Sequence, residues 1–235
     1  MNKILLLLLI LCAHETVFCQ LSGVYVSGLK EKHQCYISFT KDGLYYMDIT
    51  EHLTNDILDN RTMSIGRYIV DKNTILLKDK VQNFEMKLII LNDSLKLQNS
   101  FGFLSNRVFG LKSSYVEMQV FNWLKDIDST SVKKDKEAYK SLNPTIYPLK
   151  LRKYTSYKRG FRDYEYYLTL NKNNTYRLCF TNLTISEGNW TRNGVELILH
   201  DNSLKHNFYL MIGNKVLISR LLPGDYEPTT LNFKL

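Results

Sequence analysis

The chain has 235 residues, a formal net charge of +8 and 44% hydrophobic content. Four cysteines are too few for a disulfide framework at this length, and no apolar run reaches the ~20 residues a membrane-spanning helix needs. The positive balance is compatible with an anionic partner such as phosphate, lipopolysaccharide, an acidic glycan or a membrane surface, against the plainer reading that excess lysine keeps the protein soluble.

In chain order, residues 1–19 read as an export signal. Lys3 supplies the positive end, Ile4 to Ala13 a short apolar stretch, and Val17 and Cys19 the small residues before a cut. Gln20 would then begin a mature protein that is exported, periplasmic or secreted, and not transmembrane. Lipid anchoring at Cys12 or Cys19 is disfavoured, because Leu11 and Phe18 stand where that processing wants a small residue. Export in turn argues against a nucleic-acid partner.

Residues 20–111 form the first β-meander unit. Apolar residues alternate with polar ones, as in half-buried strands. The inward set is Cys35, Ile37 and Phe39; Tyr45, Met47 and Ile49; Ile75 and Leu77; Phe84, Met86, Leu88 and Ile90; Leu95 and Leu97. Lys41-Asp42-Gly43, Asp71-Lys72-Asn73 and Asn92-Asp93-Ser94 read as turns, since Gly, Asn and Asp tolerate the positive φ of tight hairpins.

Residues 112–148 form a linker. Val116, Val120, Trp123, Leu124 and Ile127 have helical spacing, which suggests an amphipathic helix over 114–126. Residues 128–140 are polar and charged, a linker or a second short helix. Asn143-Pro144 and Tyr147-Pro148 end any helix there.

Residues 149–235 form the second unit. Its inward set is Tyr166, Leu168 and Leu170; Tyr176, Leu178 and Phe180; Leu197 and Leu199; Phe208, Leu210 and Ile212; Val216 and Ile218. Turns fall at Lys172-Asn173-Asn174, Arg192-Asn193-Gly194 and Gly213-Asn214-Lys215, and Pro223-Gly224-Asp225 breaks the last stretch.

The two units repeat one another. Cys35 to Gly43 align without a gap on Tyr166 to Asn174, Gly66-Arg67-Tyr68 on Gly188-Asn189-Trp190, and Ile75 to Asp79 on Leu197 to Asp201. Asn83-Phe84 is matched to Asn207-Phe208. Such self-similarity implies a mainly β fold of two tandem antiparallel β-meander, barrel-like units joined by a short helical or irregular linker. The same alignment places Cys35 inward and Cys179 outward, so the two form no disulfide.

The Leu168 to Tyr176 hairpin, the Glu187-Gly188-Asn189-Trp190 strand, and Val195 to Leu199 carry a family pattern, with Gly160 before them and Lys215-Val216-Leu217 after. The chain resembles the small lipocalin-like or copper-resistance-lipoprotein-like β-barrel domains of Gram-negative envelope proteins. That resemblance implies a secreted or periplasmic barrel that binds something small or serves as an interaction module. Members with metal-linked roles carry a CxxC motif, which this chain lacks, and the departure argues against a copper role.

The segment from Tyr147 to Tyr167 interleaves cations with tyrosines. Its candidate ligand-binding residues are Arg152, Lys153, Tyr154, Tyr157, Lys158, Arg159, Arg162 and Tyr164. Guanidinium forks grip phosphate and carboxylate, and tyrosines offer stacking faces, so a lipid or anionic glycan is the ligand class. Ordinary strand pairing, with tyrosine for β-propensity and lysine for edge solubility, accounts for the same residues. His200, Asp201 and His206 match no compact metal motif, Trp190 and Tyr68 read as core packing beside glycines, and no metal or cofactor is expected. No nucleophile elbow, phosphate loop or HExxH helix is present; Glu187, Asp201 and Asp225 are the acids left for a cleft.

Three readings follow in order. The first is an exported, non-catalytic binding protein for an apolar or anionic envelope ligand. The second is an envelope protein–protein assembly module, and the third a hydrolase on a β scaffold.

Overall fold

The computed structural model describes residues 21–30, 33–52, 58–114, 129–142, 145–158, 164–180, 182–219, 222 and 231–234. The export signal, the helix expected over 114–126 and the Pro223-Gly224-Asp225 break therefore lie wholly or almost wholly outside the described residues.

The first eight strands are β1 (Gly23–Lys30), β2 (His33–Phe39), β3 (Leu44–His52), β4 (Leu58–Asp71), β5 (Thr74–Asp79), β6 (Glu85–Leu91), β7 (Ser94–Asn99) and β8 (Val108–Ser113). Each pairs antiparallel with the next, and β8 returns to β1 through Leu111 on Tyr25 and Gly110 on Val26, closing a barrel. The second eight are β9 (Lys153–Lys158), β10 (Tyr164–Leu170), β11 (Thr175–Phe180), β12 (Leu183–Asn193), β13 (Glu196–Asp201), β14 (Asn207–Ile212), β15 (Val216–Ser219) and β16 (Leu231–Lys234). This sheet also closes, but by a narrow seam in which Lys234 pairs with Thr155. The two sheets share no strand, and the repeat is carried strand for strand, β1 by β9 through β8 by β16. Among the described residues no helix is long and apolar enough to cross a membrane.

The turns form where left-handed backbone is tolerated. Gly43, Lys72 and Asn92 have positive φ in the first unit, and Asn174, Gly194 and Lys215 in the second. An eight-stranded barrel is just wide enough for side chains to fill, and large ones do. Phe39, Tyr45, Met47, Phe101 and Phe109 in the first barrel, and Tyr166 and Phe208 in the second, are essentially without solvent contact. Phe39 meets Tyr25 and Tyr68 edge to face at 5.8 and 5.0 Å, the arrangement the ring quadrupoles favour.

One buried polar chain recurs in both barrels. The Tyr45 hydroxyl lies 2.7 Å from Ser64 Oγ, and Ser64 donates to Asp79 Oδ2 at 2.8 Å. Asp79 Oδ1 accepts from the Val81 and Gln82 amides at 2.9 and 2.6 Å, fastening the turn after β5. In the second barrel Tyr176, Ser186 and Asp201 repeat the chain, and Asp201 accepts from the Ser203 and Leu204 amides after β13. Beside each serine stands a glycine with no room for a side chain. A Cβ on Gly66 would lie 1.9 Å from the Lys78 carbonyl oxygen, and one on Gly188 would lie 2.0 Å from that of His200.

Two sequence expectations need correction. The registers of β5 with β6 and of β13 with β14 make Phe84 the counterpart of His206, and Met86 the counterpart of Phe208. The match of Asn83-Phe84 to Asn207-Phe208 was therefore two residues out; an Asn-Phe dipeptide in each copy invited the slip. In β15 the buried residues are Leu217 and Ser219, with Val216 and Ile218 half-buried, because Leu217 sits directly opposite inward Ile212. Of the two readings of the polar 128–140 stretch, linker or short helix, the helix is the one formed: α1 (Ser129–Leu142). It docks on the second barrel: Lys140 Nζ lies 3.7 Å from Glu196 Oε2, and the Tyr139 hydroxyl lies against Gly213.

Cys35 is buried in the first barrel and Cys179 half-buried on the second; both are free thiols.

Candidate functional site

Strand β9 sets the geometry of the basic–aromatic segment. Alternation turns Tyr154 and Ser156 inward and Lys153 outward. Tyr154 is 3% exposed, and its hydroxyl donates to the Lys150 carbonyl at 3.0 Å. That hydroxyl ties down the approach to the strand, and burial raises its pKa. Tyr154 is thus a framework residue with no open stacking face. Lys150, Arg152 and Lys153 are exposed, and none has an ion-pair partner among the described residues. Lys153 Nζ sits 3.5 Å above the centroid of the Tyr167 ring, a cation–π contact.

Of the remaining candidates, Tyr157 and Lys158 extend β9 and pair with Glu165 and Tyr164 of β10, their side chains lying outside the described residues, as does that of Tyr164. Arg159 and Arg162 also lie outside the described residues.

Next to Lys150 is a recess of about 200 Å³, lined by Pro148, Tyr154, Gly213, Asn214, Lys215 and Val216 among others. Lys215, in left-handed backbone at φ 59°, brings another exposed cation to the rim. The sequence marked its turn but gave no reason to pair it with Lys150, 65 positions earlier. Arg192 holds the rim in place by donating to the Tyr147 carbonyl at 2.6 Å. Along the same approach, Leu142, Ile146 and Leu151 are 79%, 66% and 43% exposed.

The other residues the sequence singled out are committed elsewhere. His200 uses both ring nitrogens, Nε2 with Thr191 Oγ1 and Nδ1 with Asn207 Oδ1, each at 2.8 Å. His206 lies against Phe84 and Phe208, and burial lowers its pKa. Asp201 is sealed in the buried polar chain, which removes it as a cleft acid. Glu187 faces Arg177 Nε at 3.3 Å. Tyr68 is part of the buried core and Trp190 packs against it, the Tyr68 hydroxyl donating toward the Thr40 carbonyl at 2.9 Å. Among the described residues no three His, Cys, Asp or Glu side chains converge on a metal-sized site. No known family model matches the chain, and no curated protein sequence is significantly similar to it.

Proposed function

We propose that this is an exported, non-catalytic tandem-barrel protein that binds anionic lipid headgroups of a cell envelope through Lys150, Arg152, Lys153 and Lys215. The observation that carries the reading is the set of exposed cations with no ion-pair partner among the described residues, flanked in the chain by exposed Leu142, Ile146 and Leu151. Cations interleaved with exposed aliphatic side chains suit a surface that is anionic outside and apolar just beneath. The recess beside Lys150 is of a size for one phosphate-bearing group. Export rests on the character of residues 1–19, and the lipocalin-like resemblance supports a secreted binding module. Apolar cargo inside a barrel has less support, because large side chains occupy both interiors. An assembly role keeps one argument: the same exposed aliphatic residues would suit a protein partner, although closed sheets offer few free edges to it.

Co-sedimentation with phosphatidylglycerol vesicles tests the proposal. Each cation near an anionic surface contributes about 1 kcal/mol. Changing Lys150, Arg152 and Lys153 together to Glu should therefore weaken vesicle binding by about a hundredfold or more. Phosphatidylcholine vesicles should bind poorly, and salt should weaken the anionic case. Unchanged binding by the triple variant would reject this face. Equal binding to both vesicle types would reject the headgroup chemistry.

A further inference from the structure

Where the barrels meet, the 3₁₀ turn Gly102–Leu104 of the first lies on β12 of the second. Beside this contact opens a cleft of about 370 Å³, within the ~300–1,000 Å³ of small-ligand sites. Phe103 and Arg107 line it from the first barrel, and Arg177, Asn182, Thr184 and Glu187 from the second. We infer that this cleft binds a small acidic saccharide, its acid group between Arg107 and Arg177 and its hydroxyls on Glu187, Asn182 and Thr184.

The chemistry of the walls selects that class. Arg107 is held in place by the Gly28 and Leu29 carbonyls at 3.3 and 3.2 Å, neutral partners, and among the described residues no carboxylate pairs with it. Arg177 gives its Nε to Glu187 at 3.3 Å, and among the described residues its two terminal nitrogens have no partner, leaving them for a ligand oxygen. Two guanidinium groups against one carboxylate favour a single negative charge. Glu187 would repel a bare polyanion, whereas it accepts hydrogen bonds from hydroxyls. Phe103 adds a half-buried apolar wall for ring carbons, braced by parallel stacking on Phe101 at 6.1 Å.

The internal repeat supplies an independent argument. Arg177 and Glu187 face each other across β11 and β12. Their counterparts across β3 and β4 are Tyr46 and Ile65, both buried. In the first barrel this cross-strand position is thus held by a buried Tyr–Ile pair. The charged pair occurs only in the copy where the position faces the cleft.

Calorimetric titration of the full chain with sodium glucuronate, glucose and inorganic phosphate tests the inference. Glucuronate should bind, and glucose and phosphate should each bind at least tenfold more weakly. Arg177→Gln should cut glucuronate affinity tenfold or more while leaving the melting profile nearly intact, since its ion pair is exposed. The Lys150, Arg152 and Lys153 charge-reversal variant should bind glucuronate normally, which separates this cleft from the proposed lipid face. Absence of glucuronate binding up to about 10 mM, well past the weak-binding range, would overturn the inference. So would phosphate binding as tightly as glucuronate, or an unaltered affinity in Arg177→Gln.

Discussion

Two side chains make stability respond to pH in opposite directions. Burial raises the Asp48 carboxyl to about 6 from an ordinary 3.8, with a Thr62 hydrogen bond opposing the shift. The folded state then holds a proton that the unfolded chain releases, so stability falls as pH rises from about 4 to about 6. The whole effect is of order 3 kcal/mol. His206 acts the other way: burial lowers its pKa, so the unfolded chain protonates first and stability falls as pH drops below about 6.5. Urea melts at a series of pH values should show Asp48→Asn more stable than the parent at pH 7, with the gain vanishing near pH 4. His206→Phe, which installs the residue its counterpart Phe84 already is, should lessen the loss of stability on acidification. An Asp48→Asn profile parallel to the parent would contradict the assignment of the buried proton.

At the scale of elements, hairpins position everything else, and each depends on a few backbone requirements. Gly188 lets β12 approach β13 so closely that any side chain would strike the His200 carbonyl. Gly188→Ala should therefore cost about 3 kcal/mol or more, the upper range for overpacking, and Gly66→Ala should cost a similar amount in the first barrel. Thermal melts of both variants check this, and near-parental melting would mean the strands can part cheaply. Much of this layer was legible in the sequence. The Asp42-Gly43 and Asn193-Gly194 turns, the alternation from Cys35 to Phe39 and the paired glycines all follow from local chemistry. One place misled for a physical reason. In β15, Val216-Leu217-Ile218 is apolar at every position, so alternation carries no phase and only pairing with β14 decides it. The polar 128–140 stretch left linker and helix both open, because it has little apolar periodicity and its helix anchors through Lys140 and Tyr139 to residues more than 50 positions away.

The molecule as a whole is two closed sheets whose contact is made by specific residues. Arg61 of β4 donates from Nε to the Tyr166 hydroxyl at 2.9 Å and lies 5.2 Å from that ring's centroid. Phe84 touches His206, its own counterpart, at 5.9 Å. A fragment of residues 149–235 carries all eight strands of its barrel and should fold with β circular dichroism and a cooperative melt. It loses the Arg61 bond, worth about 1.5–3 kcal/mol for a charged donor, so its melting temperature should fall by roughly 5–15 °C. A fragment without a cooperative transition would show that the second barrel depends on the first. The site follows the same logic of distance. Lys150, Arg152 and Lys153 were visible as a local run, whereas Lys215 beside them, and Arg107 facing Arg177 across the cleft, are joined only by the folded chain.

The buried tyrosine–serine–aspartate chain and the glycine beside it leave a trace in the order of the letters. In both copies a serine, one residue, the glycine, one residue and a large aromatic are followed by aspartate eleven positions after the aromatic: Ser64, Gly66, Tyr68 and Asp79, then Ser186, Gly188, Trp190 and Asp201. The spacing is rigid because serine and aspartate must meet across neighbouring strands, and the glycine must stand where the backbones nearly touch. The tyrosine is free of that constraint, lying 19 positions before the serine in one copy and 10 in the other, since the loop between its strand and the next can lengthen without moving the bond. While surface charge, turn composition and even core side chains have drifted between the halves, this short phrase has kept its metre. It is the part by which another barrel built on the same bond can be recognised from its sequence.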